Sequence, residues 1–74
     1  MTDQEKINFL VKAIKELKDI NVTEVTAETR LGDLNIDSLD AIELQMYYEE
    51  VNGVQTKDPT GAVKTVGDLI SLMP

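Results

Sequence analysis

The sequence contains no cysteine and no histidine. Without cysteine there is no disulfide to brace a short chain, no thiolate to hold a metal and no thiol nucleophile. Without histidine there is no imidazole to serve as a base near neutral pH, so any serine that acts here must be activated from outside. Long apolar runs are absent too, and nothing approaches the ~20 apolar residues a membrane span requires. The opening stretch Met1-Thr2-Asp3-Gln4-Glu5-Lys6 is polar and acidic where a secretory signal would be basic and then apolar, so neither export nor membrane insertion is expected, and a cytoplasmic location is. Positive charge is scarce. Seven Lys and Arg face fourteen Asp and Glu, a net charge of −7, which would repel a phosphate backbone and argues against a nucleic-acid partner.

At 74 residues the expectation is one monomeric domain spanning 1–74. A chain of this size buries only ~60% of the surface its unfolded form exposes, which leaves little room for an enclosed active site. An enzyme acting on its own is not expected. The distribution of charge says more than its total. Between Leu31 and Thr56 lie six acids (Asp33, Asp37, Asp40, Glu43, Glu49, Glu50) and no Lys or Arg, whereas residues 1–18 carry four Lys against three acids. Such a face is either a solvated helix surface or a docking surface for basic partners. Because its acids flank one unusual serine, docking is the reading adopted.

Hydrophobic spacing predicts helices joined by loops, an all-α bundle. Ile7, Leu10, Val11, Ile14 and Leu17 follow a helical rhythm, and Thr2 with Glu5 forms a capping-box pattern, giving a first helix over about 3–18. From Asp19 to Asp37 the periodicity fades into a long loop pinned by apolar anchors, with a weak strand-like alternation from Asn21 to Thr26. A second helix starts at Asp37 or Ser38, capped by Asp37 with Asp40 three residues on, and stops at Asn52-Gly53. Asp58-Pro59 could open a short additional helix near residues 58–62, against which Gly61 follows soon after. Thr65 with Asp68 caps the last helix, whose stripe is Val66, Leu69, Ile70 and Met73.

Ser38 stands in Asp33-Leu34-Asn35-Ile36-Asp37-Ser38-Leu39-Asp40, between acids, where a polar loop turns into an apolar-periodic helix. That placement makes it an attachment point whose chemistry is supplied by another molecule. Three other readings of these residues are weaker. Asp33-x-Asn35-x-Asp37 matches the start of a calcium loop, but the sixth position is Ser38 in place of Gly and the twelfth is Leu44 in place of Glu. A hydrolase serine would need a base, and no Lys lies in the acidic segment. The pairs Asp37 with Asp40 and Glu49 with Glu50 are better explained as caps and solvated charges than as acid-base catalysts.

The run Asp33 to Leu44, with Glu49-Glu50 and the later Thr65-Val66-Gly67-Asp68-Leu69, resembles acyl carrier proteins over nearly the whole chain. The resemblance implies a small helical bundle of three main helices with a long first loop and the serine at the start of helix two. It implies that Ser38, within Asp37-Ser38-Leu39, receives 4′-phosphopantetheine from coenzyme A, and that the arm's thiol carries acyl groups as thioesters for fatty-acid or related biosynthesis. The partners it implies are a phosphopantetheinyl transferase and acyl-loading and acyl-processing enzymes with basic docking patches. Asn35 stands where the family usually has Gly, a substitution that preserves tolerance of positive φ. Residues 52–64 diverge more. On helix two, spacing assigns Leu44, Tyr48 and Val51 to the core and places Leu39, Glu43, Met46, Tyr47 and Glu50 on another side. The resemblance makes that second side, with Asp40, the partner-binding face. The reading from a different class is an acidic helical adaptor that binds a basic protein without a prosthetic group, with Ser38 unmodified or phosphorylated.

Overall fold

A computed structural model describes residues 2–22, 24–58 and 61–74. The order of elements is α1 (Asp3–Lys18), a 3-10 helix (Leu31–Leu34), α2 (Ser38–Asn52) and α3 (Val66–Ile70), with no strand among the described residues. No helix among them is long and apolar enough to cross a membrane.

Each α-helix begins with the box its sequence encodes. In α1 the Thr2 hydroxyl accepts from the Glu5 N–H at 3.2 Å and the Glu5 carboxylate accepts from the Thr2 N–H at 3.0 Å, which satisfies two orphan donors and holds the Glu5 carboxyl below its ordinary pKa. Reciprocal boxes join Asp37 to Asp40 and Thr65 to Asp68. At the far ends, Asp19 (φ 55°) closes α1 and Gly53 (φ 64°) closes α2 in the left-handed region, and each cap N–H returns to the last turn.

Ile7, Leu10, Ala13 and Ile14 of α1 meet Ala41, Leu44 and Tyr48 of α2 and the α3 stripe in one core. Phe9 sits edge-on to Tyr48 with ring centroids 5.1 Å apart, and the buried Tyr48 hydroxyl donates to the Pro74 carbonyl at 2.7 Å. Two expected core positions are corrected. Leu17 is 44% exposed and Val51 is 55% exposed, because each stripe runs into the last turn of its helix, beyond the elements that cover it. The α3 stripe does the reverse and outlasts its helix. Helical bonding stops at Ile70, yet Met73 is buried, since tighter turns (Leu72 N–H to Leu69 O, Met73 N–H to Ile70 O) carry the same face onward.

No strand forms over the described part of 21–26. The loop is pinned further on: the N–H groups of Leu31, Val66 and Gly67 donate to Lys64, Thr29 and Ala27 carbonyls at 2.9, 2.9 and 2.7 Å. Gly67 is required there, since a Cβ would lie 2.9 Å from the Ala27 oxygen. After α2, the Glu49 carboxylate accepts from both the N–H (2.7 Å) and the hydroxyl (2.9 Å) of Thr56, and the Gln45 amide donates to the Lys57 carbonyl at 3.2 Å. These bonds strap residues 56–57 onto α2. The short helix expected near 58–62 centres on Pro59 and Thr60, which lie outside the described residues; Asp58 and Gly61 on either side are not helical.

Candidate functional site

The approach to Ser38 is rigid for local reasons. Asn35 adopts φ 59° and lets the chain reverse after the 3-10 helix. Ile36, only 4% exposed, then plugs into the core while its N–H donates to the Leu31 carbonyl. Asp37 returns to extended backbone and its carboxylate accepts from the Asp40 N–H at 2.9 Å. Ser38 follows as the first residue of α2, exposed, its hydroxyl making no hydrogen bond to a described residue. A core anchor two residues before and a cap one residue before thus hold an otherwise free hydroxyl at a helix start, where the partial positive charge of the N–H groups favours an attached anion.

Two clefts meet at this serine. The wider, ≈ 610 Å³, has a lining of mixed polar and apolar character and runs between the 3-10 helix and the segment 63–65, with Arg30, Lys64, Asp33 and Asp68 on its walls beside Leu31, Ile36 and Val63. The narrower, ≈ 200 Å³, is mostly apolar and lies between Ala41, Ile42 and Gln45 of α2 and the facing Gly61, Ala62 and Val63. Ser38 borders both.

The expected site residues divide between two flanks of α2. Leu39 (67% exposed) and Met46 (61% exposed) are two turns apart on the outer face, and the acids Glu43 and Glu50 are exposed too. Asp40 and Tyr47, also two turns apart, belong to the flank that meets α1. Asp40 accepts from the Lys18 ammonium at 2.8 Å, a bond that holds its carboxyl below and the lysine above their ordinary pKa values. Tyr47 is half-buried against Phe9, and its hydroxyl donates to Glu16 at 2.8 Å, which raises its pKa. Two side chains went unremarked in the sequence. Ile42, 49% exposed, joins Leu39 and Met46, and the spacing 39, 42, 46 was the available signal. Gln45, 8% exposed, is the one buried polar residue among those described, and only its place in the core-facing stripe could have hinted at it.

Comparison with known proteins finds relatives over almost all of the chain. It is 38% identical over 72 residues to the meromycolate extension acyl carrier protein of Mycolicibacterium smegmatis, covering 95% of this chain and 73% of that protein. It is likewise 38% identical over 74 residues to the acyl carrier protein of Thermotoga maritima, covering 96% and 91%. The meromycolate extension acyl carrier protein of Mycobacterium tuberculosis is 34% identical over 73 residues, with 96% and 64% covered. No family model matches the chain, and no solved structure matches it.

Proposed function

This chain belongs to the acyl carrier protein family, and we propose that Ser38 is its attachment site for 4′-phosphopantetheine. The observation that carries the reading is the exposed, unbonded Ser38 hydroxyl at the first position of α2, held by the Asp37–Asp40 box where two clefts meet. When attached, the arm supplies the thiol that this chain lacks, and with it the capacity to hold acyl groups as thioesters. Loading joins the Ser38 oxygen to the phosphorus of coenzyme A's pantetheine phosphate and releases 3′,5′-ADP. The hydroxyl proton passes to a base of the transferase, since the chain has no imidazole to take it. The chain is accordingly a carrier on which other enzymes act, not a catalyst.

The outer face of α2 is the proposed docking surface. Leu39, Ile42 and Met46 supply apolar contact and Glu43 and Glu50 supply charge for basic patches on the transferase and on acyl-handling enzymes, while Asp40 and Tyr47 form its α1-side margin. Asp37 and Leu39 flank the serine and orient it toward the incoming group. The test is intact mass after incubation with coenzyme A and a phosphopantetheinyl transferase. The wild-type chain gains one arm and Ser38→Ala gains none, with unchanged helix content because Asp37 supplies the cap. A wild-type chain that gains no mass would favour the acidic adaptor instead.

A further inference from the structure

We infer that Met46 is an oxidation site through which peroxide weakens docking, its thioether becoming a sulfoxide within the partner contact while the fold is left intact. The inference rests on the docking face proposed above and adds a means of regulating it.

The chain offers an oxidant few targets. It has no Cys and no Trp, and its three Met are Met1, Met46 and Met73. Exposure decides which sulfur a dilute oxidant reaches, and the two methionines among the described residues differ sharply in it. Met73 is 2% exposed in the core, whereas Met46 is 61% exposed, one turn after Ile42 and two after Leu39. Of the two, Met46 reacts first. A lone pair of its sulfur attacks one oxygen of hydrogen peroxide, the S–O bond forms as the O–O bond breaks, and the departing hydroxide takes the proton of the transferred oxygen to leave as water. Sulfur gives up two electrons and peroxide takes them. The step needs neither a thiolate nor an imidazole base, so it is open to a chain with no Cys and no His.

The new oxygen matters only when the face is covered. Glu43 lies three residues before Met46, and Glu49 and Glu50 lie three and four after it, so carboxylates flank its side chain along the helix. An ionised carboxylate only accepts hydrogen bonds, and so does a sulfoxide oxygen. These neighbours therefore leave it to water in the free chain. Docking strips that water away, and a flexible apolar contact has become a polar group that must be desolvated. Leu39 and Ile42 stay apolar, because peroxide does not alter them. The core of α2 is untouched as well, since Ala41, Leu44 and Tyr48 are buried on its other side.

The test treats the full arm-free chain with dilute hydrogen peroxide, removes the peroxide, and maps the added oxygen by peptide mass. Binding to a phosphopantetheinyl transferase is then followed by stopped flow, each chain against its own untreated sample. The expected result is one oxygen on Met46 with Met73 unmodified, and a Tm within about 4 °C of the untreated value. Dissociation from the transferase should be roughly tenfold faster, the effect of one unpaired polar group at an interface, and methionine sulfoxide reductase should restore it. Met46→Leu keeps Met1 and Met73 and should lose the peroxide response, whatever its starting rate. Binding that is unchanged or tighter with Met46 fully oxidised overturns the inference, as does the same response in Met46→Leu. Either result leaves the carrier reading standing so long as the untreated chain gains its arm. An untreated chain that gains no arm sinks both. Because oxidised and untreated wild type decide the matter between them, a Met46→Leu chain that fails to fold does not shelter the idea.

Discussion

The division of α2 into a buried face and the proposed docking face is most sharply tested by truncating Leu44 and Met46, two positions along the same helix. Leu44 is 1% exposed and Met46 is 61% exposed. Removing a buried leucine side chain costs ~2–5 kcal/mol, from lost transfer energy and the cavity left behind. A chain of 74 residues has a total stability of roughly 4–11 kcal/mol at 0.05–0.15 kcal/mol per residue, so Leu44→Ala forfeits a large fraction of it. In a domain this small each kcal/mol moves Tm by about 4–8 °C, which places the Leu44→Ala melt roughly 8–40 °C lower. Met46→Ala removes mostly solvated surface and gains helix propensity, so its Tm should stay within about 4 °C of wild type. Val51→Ala, at 55% exposure, should behave like Met46→Ala, although its spacing in the sequence groups it with Leu44. Thermal circular dichroism at fixed pH and salt gives all three values. Binding to the transferase by stopped flow should show faster dissociation for Met46→Ala with little salt dependence. If Met46→Ala melts as low as Leu44→Ala, the exposed face has been drawn on the wrong side of the helix.

Glu43→Lys should slow association with the transferase, with strong salt dependence and an unchanged melt, as measured by stopped flow across ionic strengths. Asp40→Lys should in addition lower Tm, because it puts a second cation against Lys18 and breaks the Asp37 box. The Asp40 carboxyl is lowered chiefly by its bond to Lys18, so its contribution is fully present above the ordinary aspartate range and is lost as pH falls through the depressed folded value. Lys18, raised by the same bond, contributes below the ordinary lysine range and loses that contribution as pH rises through its elevated folded value. Urea titrations should therefore find Asp40→Asn less acid-sensitive than wild type, and an equal acid loss in both would contradict the pair's role. Gly67→Ala should cost about 1–3 kcal/mol in the same assay through the clash with the Ala27 carbonyl, whereas Gly32→Ala, with nothing within 4 Å of the added carbon, should change little.

The sequence by itself determined the elements and the serine. Capping boxes, left-handed stops and apolar spacing are local physics, readable over three or four residues, and they set α1, α2 and the start of α3 within a residue or so of their observed bounds. The lack of cysteine and histidine, with Ser38 at a capped helix start, is likewise legible in the sequence and is what singles out that serine for the proposed attachment. Tertiary structure decided what depends on neighbours distant in sequence. Spacing says which residues share a face but not how far a covering element extends, so Leu17 and Val51 are exposed and Met73 is buried past the end of its helix. That α1 supplies Lys18 to Asp40 and Glu16 to Tyr47 is likewise a matter of neighbours distant in sequence. Gln45 became legible only when the loop at Thr56 and Lys57 folded back over α2, since nothing local links an amide in a helix to a carbonyl twelve residues on.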